Sequence, residues 1–143
     1  MKPYLLDTNV LLALAWPNHV HHAETRAWFK QKGAARFRTC PLTQTGFVRI
    51  SSNPSFTAEA VSPGDALSLL RRLCSMPGHQ FWPDDLSLAE AVPAVARLAG
   101  HRQVTDAYLL ALAASHEGIL ATLDRAISAL AAGKCDGSVE LIG

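Results

Sequence analysis

The sequence predicts an α/β domain whose largely parallel sheet is covered by helices on both faces. Its 143 residues, 49% of them hydrophobic, suit one buried core. Short apolar strands are mostly separated by helical segments, and two of the strands are followed closely by an aspartate. Helices between successive strands carry the chain back over the sheet, so neighbouring strands run parallel and both faces are buried.

Pro3 to Leu6 reads as a short buried strand, then Val10 to Ala15 as an apolar helix, with Trp16-Pro17-Asn18 as a turn. Asn18 or His19 opens an amphipathic helix to about Lys32, with Val20, Ala23, Ala27 and Trp28 at helical spacing and Gly33 as its stop. Arg36 to Thr39 is the second strand. Thr43 is the expected N-cap of a helix through Ile50, ended by Asn53-Pro54. Ser62-Pro63 starts a helix carrying Ala66, Leu70 and Leu73, which stops before Pro77-Gly78. Gln80 to Trp82 is a weak third strand. Ser87 to Ala99 reads as helical, kinked or divided at Pro93. Thr105 to His116 is a further helix with Gly118 as C-cap, and Ile119 to Thr122 is the fourth strand. A short helix through Ala132 and a strand from Val139 to Ile142 close the single domain, 1–143.

A formal net charge of +1 lacks the basic excess of proteins that hold nucleic acid mainly by neutralising phosphate. Cys40, Cys74 and Cys135 are odd in number and form no C-x-x-C pair, which argues against a disulfide framework or thiolate zinc site and fits a reducing, cytoplasmic setting. Lys2 precedes an apolar stretch ending in Ala13-Leu14-Ala15, as in a signal peptide. Asp7 interrupts it, and the run after Asn9 is too short for a membrane span.

Ligands of open parallel sheets gather beyond the carboxyl ends of strands, where strand order reverses. Asp7 follows Tyr4-Leu5-Leu6, and Asp124 comes just after Ile119-Leu120-Ala121-Thr122, so both occupy such positions. Asp106 lies in the first turn of its helix and shares the inward face with Leu109, Leu110 and Ala113. Each acid also has an ordinary reading: an Asx turn for Asp7, a helix cap for Asp106 and Asp124. Convergence changes the electrostatics, because carboxylates ~5 Å apart repel by about 3 kcal/mol per pair at an effective dielectric near 20. Mg²⁺ or Mn²⁺ suits such an all-oxygen site, and phosphodiester hydrolysis is the reaction it serves naturally.

Leu5-Leu6-Asp7-Thr8-Asn9-Val10-Leu11, Val104-Thr105-Asp106-Ala107-Tyr108-Leu109 and Leu120-Ala121-Thr122-Leu123-Asp124-Arg125 together resemble the sequence blocks of PIN-domain nucleases. Among these the chain resembles the VapC-type toxins over nearly its whole length, including Trp16 to His22 and Phe81 to Asp85. The resemblance implies a three-layer α/β/α fold with a five-stranded sheet of order 3-2-1-4-5. It implies that Asp7, Asp106 and Asp124 coordinate Mg²⁺ or Mn²⁺ and activate water for endonucleolytic RNA cleavage, with Thr8 and Thr122 orienting the acids. A protein antitoxin and a homodimer are implied as partners. Many relatives have Glu at the start of the third helix, where this chain has Gln44 in Thr43-Gln44-Thr45-Gly46-Phe47-Val48-Arg49. An amide oxygen can still hold a metal-bound water, but the site loses one negative charge, which predicts weaker metal affinity and one ion in place of two.

His19, His21 and His22 lack the i, i+4 spacing of two helical metal ligands and read as helix-start surface or packing residues. Arg49 and Arg125 are candidates for RNA phosphate, though pairing with a site acid is the stronger expectation. Trp28, Phe29 and Trp82 read as core or interface packing rather than base-stacking platforms, since no basic stripe accompanies them. One competing reading is a haloacid-dehalogenase-like phosphatase, which needs a second acid where Asn9 stands. Another is a noncatalytic PIN-fold module that binds RNA or protein, made plausible by Gln44.

Overall fold

A computed structural model of the chain describes residues 1–90, 100–131 and 136–143. Five parallel strands form one sheet of order β3-β2-β1-β4-β5: β1 (Tyr4–Leu6), β2 (Phe37–Thr39), β3 (His79–Phe81), β4 (Ile119–Thr122) and β5 (Val139–Leu141). The order reverses at β1, which pairs with β2 on one side and β4 on the other, so a cleft opens beyond Leu6 and Thr122. The expected three-layer architecture and strand order are those observed.

Alternation along the strands divides the core in two. Leu5 and Leu120 face α5 (Val104–Ser115) and α6 (Arg125–Leu130), packing with Tyr108, Leu109, Leu112, Ile127 and Trp82. Leu6 and Ala121 face the other way, toward α1 (Thr8–Ala15), α2 (His22–Gln31), α3 (Pro41–Ser51) and α4 (Pro63–Cys74), through Val10, Leu11, Trp28, Phe29, Phe37, Phe47 and Leu70. Trp28, Phe29 and Trp82 are buried, as the packing reading requires.

Several boundaries differ from the sequence expectation, each for a local reason. The second helix begins at His22 rather than Asn18 or His19, because two turns precede it: His19 N–H bonds to Trp16 O, and His22 N–H to His19 O, both at 3.0 Å. Val20 therefore lies outside the helix and is 87% exposed. The three histidines act in that corner: His19 Nδ1 accepts the His21 N–H, His21 meets Glu24, and His22 Nδ1 lies 2.7 Å from the Ala13 carbonyl. Thr43 is not an N-cap. Pro41 opens α3 at the position where proline costs no hydrogen bond, and Thr43 reaches back so that its Oγ1 accepts the Cys40 N–H at 3.0 Å.

At the end of α5 it is Glu117, with φ of 55°, that takes the left-handed conformation, and not Gly118. Gly118 is needed for space instead, since a Cβ there would lie 2.7 Å from the Trp82 ring and 3.0 Å from the Pro3 carbonyl. Residues 88–90 are helical, while the remainder of the helix expected over Ser87 to Ala99, with its kink at Pro93, falls outside the described residues. Ala132 and Cys135 also fall outside them, whereas Cys40 and Cys74 are free thiols. No helix among the described residues is long and apolar enough to cross a membrane.

Candidate active site

Asp7 is the hinge between β1 and α1. Its backbone N–H bonds to Ala121 O at 3.0 Å and extends the β1–β4 pairing, while its extended conformation turns the side chain over the helix start. Oδ1 accepts the Thr8 N–H at 2.8 Å and Oδ2 accepts the Thr122 hydroxyl at 2.8 Å. The residue is only 6% exposed. Burial raises its carboxyl above the ordinary range; the bonds from Thr122 and Thr8 act against that, and nearby Asp124 adds to it.

Asp124 sits two residues beyond Asp7's hydroxyl partner. The Thr122 side chain, fully buried at the end of β4, accepts the Asp124 N–H at 3.1 Å while donating to Asp7. Asp124 in turn caps α6, accepting the Ala126 N–H at 2.9 Å. The ordinary readings of Asp7 and Asp124 thus hold alongside their convergence: both cap helices, and the caps hold their backbones at the mouth of the cleft.

Asp106 is different. It lies in the first turn of α5, one residue before the buried run Ala107 to Ala113, and is itself half-buried. The residue at the helix cap is Gln103, so Asp106 does not cap α5, and among the described residues its carboxylate has no hydrogen bond or ion pair. Its pKa is pushed up to about 6, by burial first and then by the charges of Asp7 and Asp124. The β1, β4 and α5 acids therefore share one electrostatic neighbourhood although 117 residues of sequence (124 − 7) separate the outermost pair.

This donor set fits a hard, hydrated divalent cation. Among the described residues no three His, Cys, Asp or Glu side chains close into a ready-made metal cage. Mg²⁺ does not need one, because it keeps several waters and binds through one or two carboxylates. Asp106, without a partner among the described residues and faced by two like charges, is the group that such a cation would relieve most.

The residues proposed around the acids divide. Thr122 touches Asp7 directly, and Thr8 gives it a backbone N–H. The Gln44 amide donates to Thr39 Oγ1 at 2.9 Å and lies 3.8 Å from Cys74 Sγ, committed to the end of β2 and to α4. Thr39 also meets His79 Nε2 at 2.7 Å, so Gln44 belongs to a polar network of its own, with no hydrogen bond to the three acids. On α3, Gly46 lies close against Thr8 at the start of α1, where a Cβ would stand 2.9 Å from Thr8 Oγ1. Arg49 and Arg125 are exposed and form no ion pair among the described residues, so the expected pairing with a site acid is not what the structure has. Asn9, notable in the sequence only as standing where a phosphatase would need its second acid, also borders the site: its Oδ1 accepts the Leu123 N–H at 3.3 Å, and an amide two residues after a strand-end acid was the available signal.

Acids gathered at the reversal point of a parallel 3-2-1-4-5 sheet define an α/β/α domain of PIN type, and solved structures share the fold. FitAcB from Neisseria gonorrhoeae matches with TM-score 0.64 at 19% identity over 98% of this chain and 96% of its own. DNA-bound VapBC from Salmonella typhimurium matches at 0.64, with 16% identity over 98% of each chain. The PIN domain family model matches residues 4–133, and the chain belongs to that family. Curated relatives of the chain include VapC proteins of Mycobacterium tuberculosis. It is 45% identical to Ribonuclease VapC39 (strain ATCC 25618 / H37Rv) over 96% of this chain and 98% of the relative. It is 44% identical to Ribonuclease VapC38 of the same strain over 96% of each.

Proposed function

We propose that this protein is a VapC-type toxin, an endoribonuclease that uses Mg²⁺ or Mn²⁺ held by Asp7, Asp106 and Asp124. The observation that carries the reading is Asp106, a half-buried carboxylate with no donor among the described residues and two like charges before it. Such a group destabilises the fold unless it serves something else. Relatives about 45% identical over nearly the full length bear the name ribonuclease, which supports RNA as the substrate.

When bound, the cation supplies a counter-charge and an acidified water for in-line attack on the scissile phosphate. The chain's own residues prepare for it. The Thr122 hydroxyl and the Thr8 N–H both favour the charged form of Asp7 and offset part of the cost of burial. The α6 cap fixes one oxygen of Asp124 on Ala126 N–H and leaves the other for a ligand. Arg49 and Arg125, exposed and outside any ion pair among the described residues, contact RNA phosphate at the rim. With Gln44 bound to Thr39 and no side chain at Gly46, α3 contributes no fourth charge, so the site holds one ion weakly rather than two.

The protein works in the cytoplasm, as a homodimer, and is restrained by a protein antitoxin. Solved VapBC complexes of the same fold support the antitoxin. Purified wild type is expected to cleave RNA only with added Mg²⁺ or Mn²⁺, and Asp7→Asn to abolish both cleavage and the growth arrest caused by expression. Binding of RNA without metal-dependent turnover would make it a binding module instead. Calorimetry is expected to find one Mg²⁺ site; two tight sites would overturn the single-ion reading.

A further inference from the structure

We propose that Asn9 is a positioning residue that sets where Asp124 stands, an inference that rests on reading the three acids as a metal site. Asn9 is half-buried in the first turn of α1, and its side-chain oxygen accepts the Leu123 N–H at 3.3 Å, a contact between residues 114 apart in sequence. Leu123 stands between the end of β4 and Asp124, where the sheet no longer controls the chain. Pairing of β4 with β5 ends at Thr122 and Leu141, and the Ile142 N–H takes the Thr122 carbonyl.

Beyond that point two side chains hold successive backbone N–H groups. Thr122 Oγ1 holds Asp124 N–H at 3.1 Å, and Asn9 Oδ1 holds Leu123 N–H. One such contact is a pivot about which the link turns; two fix its orientation. Because Asn9 and Asp7 belong to the same helix start, the second contact ties Asp124 to the element that carries Asp7. The amide does so without adding a fourth negative charge beside three carboxylates, whereas its NH₂ has no acceptor among the described residues and adds no competing tie. Asn9 acts through Leu123 on the spacing of two acids, so its loss weakens capture of the ion and not the grip on RNA.

The test is Mn²⁺ affinity, read by electron paramagnetic resonance of free Mn²⁺, for wild type, Asn9→Ala and Asn9→Asp, with kcat and KM for RNA measured alongside. Asn9→Ala is expected to bind Mn²⁺ about tenfold more weakly, as when a partner that orients a metal ligand is removed. Its KM for RNA stays at the wild-type value, and saturating Mn²⁺ restores most of kcat. Asn9→Asp still offers an oxygen to Leu123 N–H and is expected to bind Mn²⁺ at least as tightly as wild type. Wild-type affinity in Asn9→Ala, or a raised KM in place of an affinity loss, overturns the inference. Should Asn9→Ala fail to fold, Asn9→Asp decides alone, and markedly weaker binding overturns it. A wild-type protein that binds no Mn²⁺ sinks the metal-site reading and this inference with it; one that binds while Asn9→Ala binds equally sinks only the inference.

Discussion

The Thr122 hydroxyl stands between two acids from opposite ends of the chain, donating to Asp7 Oδ2 at 2.8 Å and accepting the Asp124 N–H at 3.1 Å. Thr122→Val keeps the shape and removes both bonds. A stability loss of about 1–3 kcal/mol is expected, since the buried Asp7 oxygen loses its donor. Asp7 then ionises less readily, so the rising limb of the pH–rate profile moves to higher pH. An unchanged profile would show that the hydroxyl does nothing for Asp7.

Asp106 makes a pH-dependent prediction for the metal-free protein. Its pKa is raised from 3.8 to about 6 by burial, Asp7 and Asp124, so the native state binds this proton more tightly than the unfolded chain does. The group therefore favours folding fully below the unfolded value of 3.8, and that contribution is lost as pH rises through about 6. With chelator present, Asp106→Asn is expected to be more stable than wild type at pH about 7, by on the order of 1 kcal/mol, and to lose most of that advantage at pH about 4. Urea titrations at both pH values test it; an advantage independent of pH would refute the electrostatic cause. Added Mg²⁺ narrows the gap at pH about 7 by stabilising only the wild type.

Gln44→Glu tests whether the third helix lacks its acid at this position. The native amide donates to Thr39 Oγ1, and a carboxylate has no proton to give there. The variant is expected to lose about 1–2 kcal/mol of stability and to gain no Mg²⁺ affinity by calorimetry. A distinctly tighter or second site would place residue 44 in the metal site after all.

Two glycines separate packing from chemistry. Gly118→Ala drives a Cβ to 2.7 Å from Trp82, remote from the acids, and Gly46→Ala drives one to 2.9 Å from Thr8 Oγ1, beside Asp7. Overpacking in each case is expected to cost about 1–3 kcal/mol. Cleavage per folded molecule survives in Gly118→Ala and falls in Gly46→Ala, because displacing Thr8 disturbs the Asp7 turn. Equal activity losses in both would deny the Gly46 contact any special bearing on the site.

Much of this was legible along the chain. Strand-end positions are local, so Asp7 and Asp124 stand out once Tyr4–Leu6 and Ile119–Thr122 are recognised as strands, and helical spacing alone turns Asp106 inward. What resisted reading were contacts between elements. Thr43 looks like a cap until Pro41 is seen to open the helix, Val20 looks buried until two turns displace it, and Gly118 looks like a helix stop until Trp82 is found against it. Arg49 and Arg125 look like partners for acids, but their side chains lie exposed on α3 and α6.

The sequence by itself determined the alternation of elements, the apolar faces and which acids end strands, because these follow from side-chain chemistry at spacings of two and three to four residues. Only the tertiary structure decided that Thr122 bridges Asp7 to Asp124, that Gln44 is spent on Thr39, and that Asn9 reaches Leu123. Two of those contacts join residues more than a hundred positions apart, and the others choose one hydrogen-bond partner among several within reach. Their geometry is set by how the sheet and helices pack, which no local pattern of residues encodes.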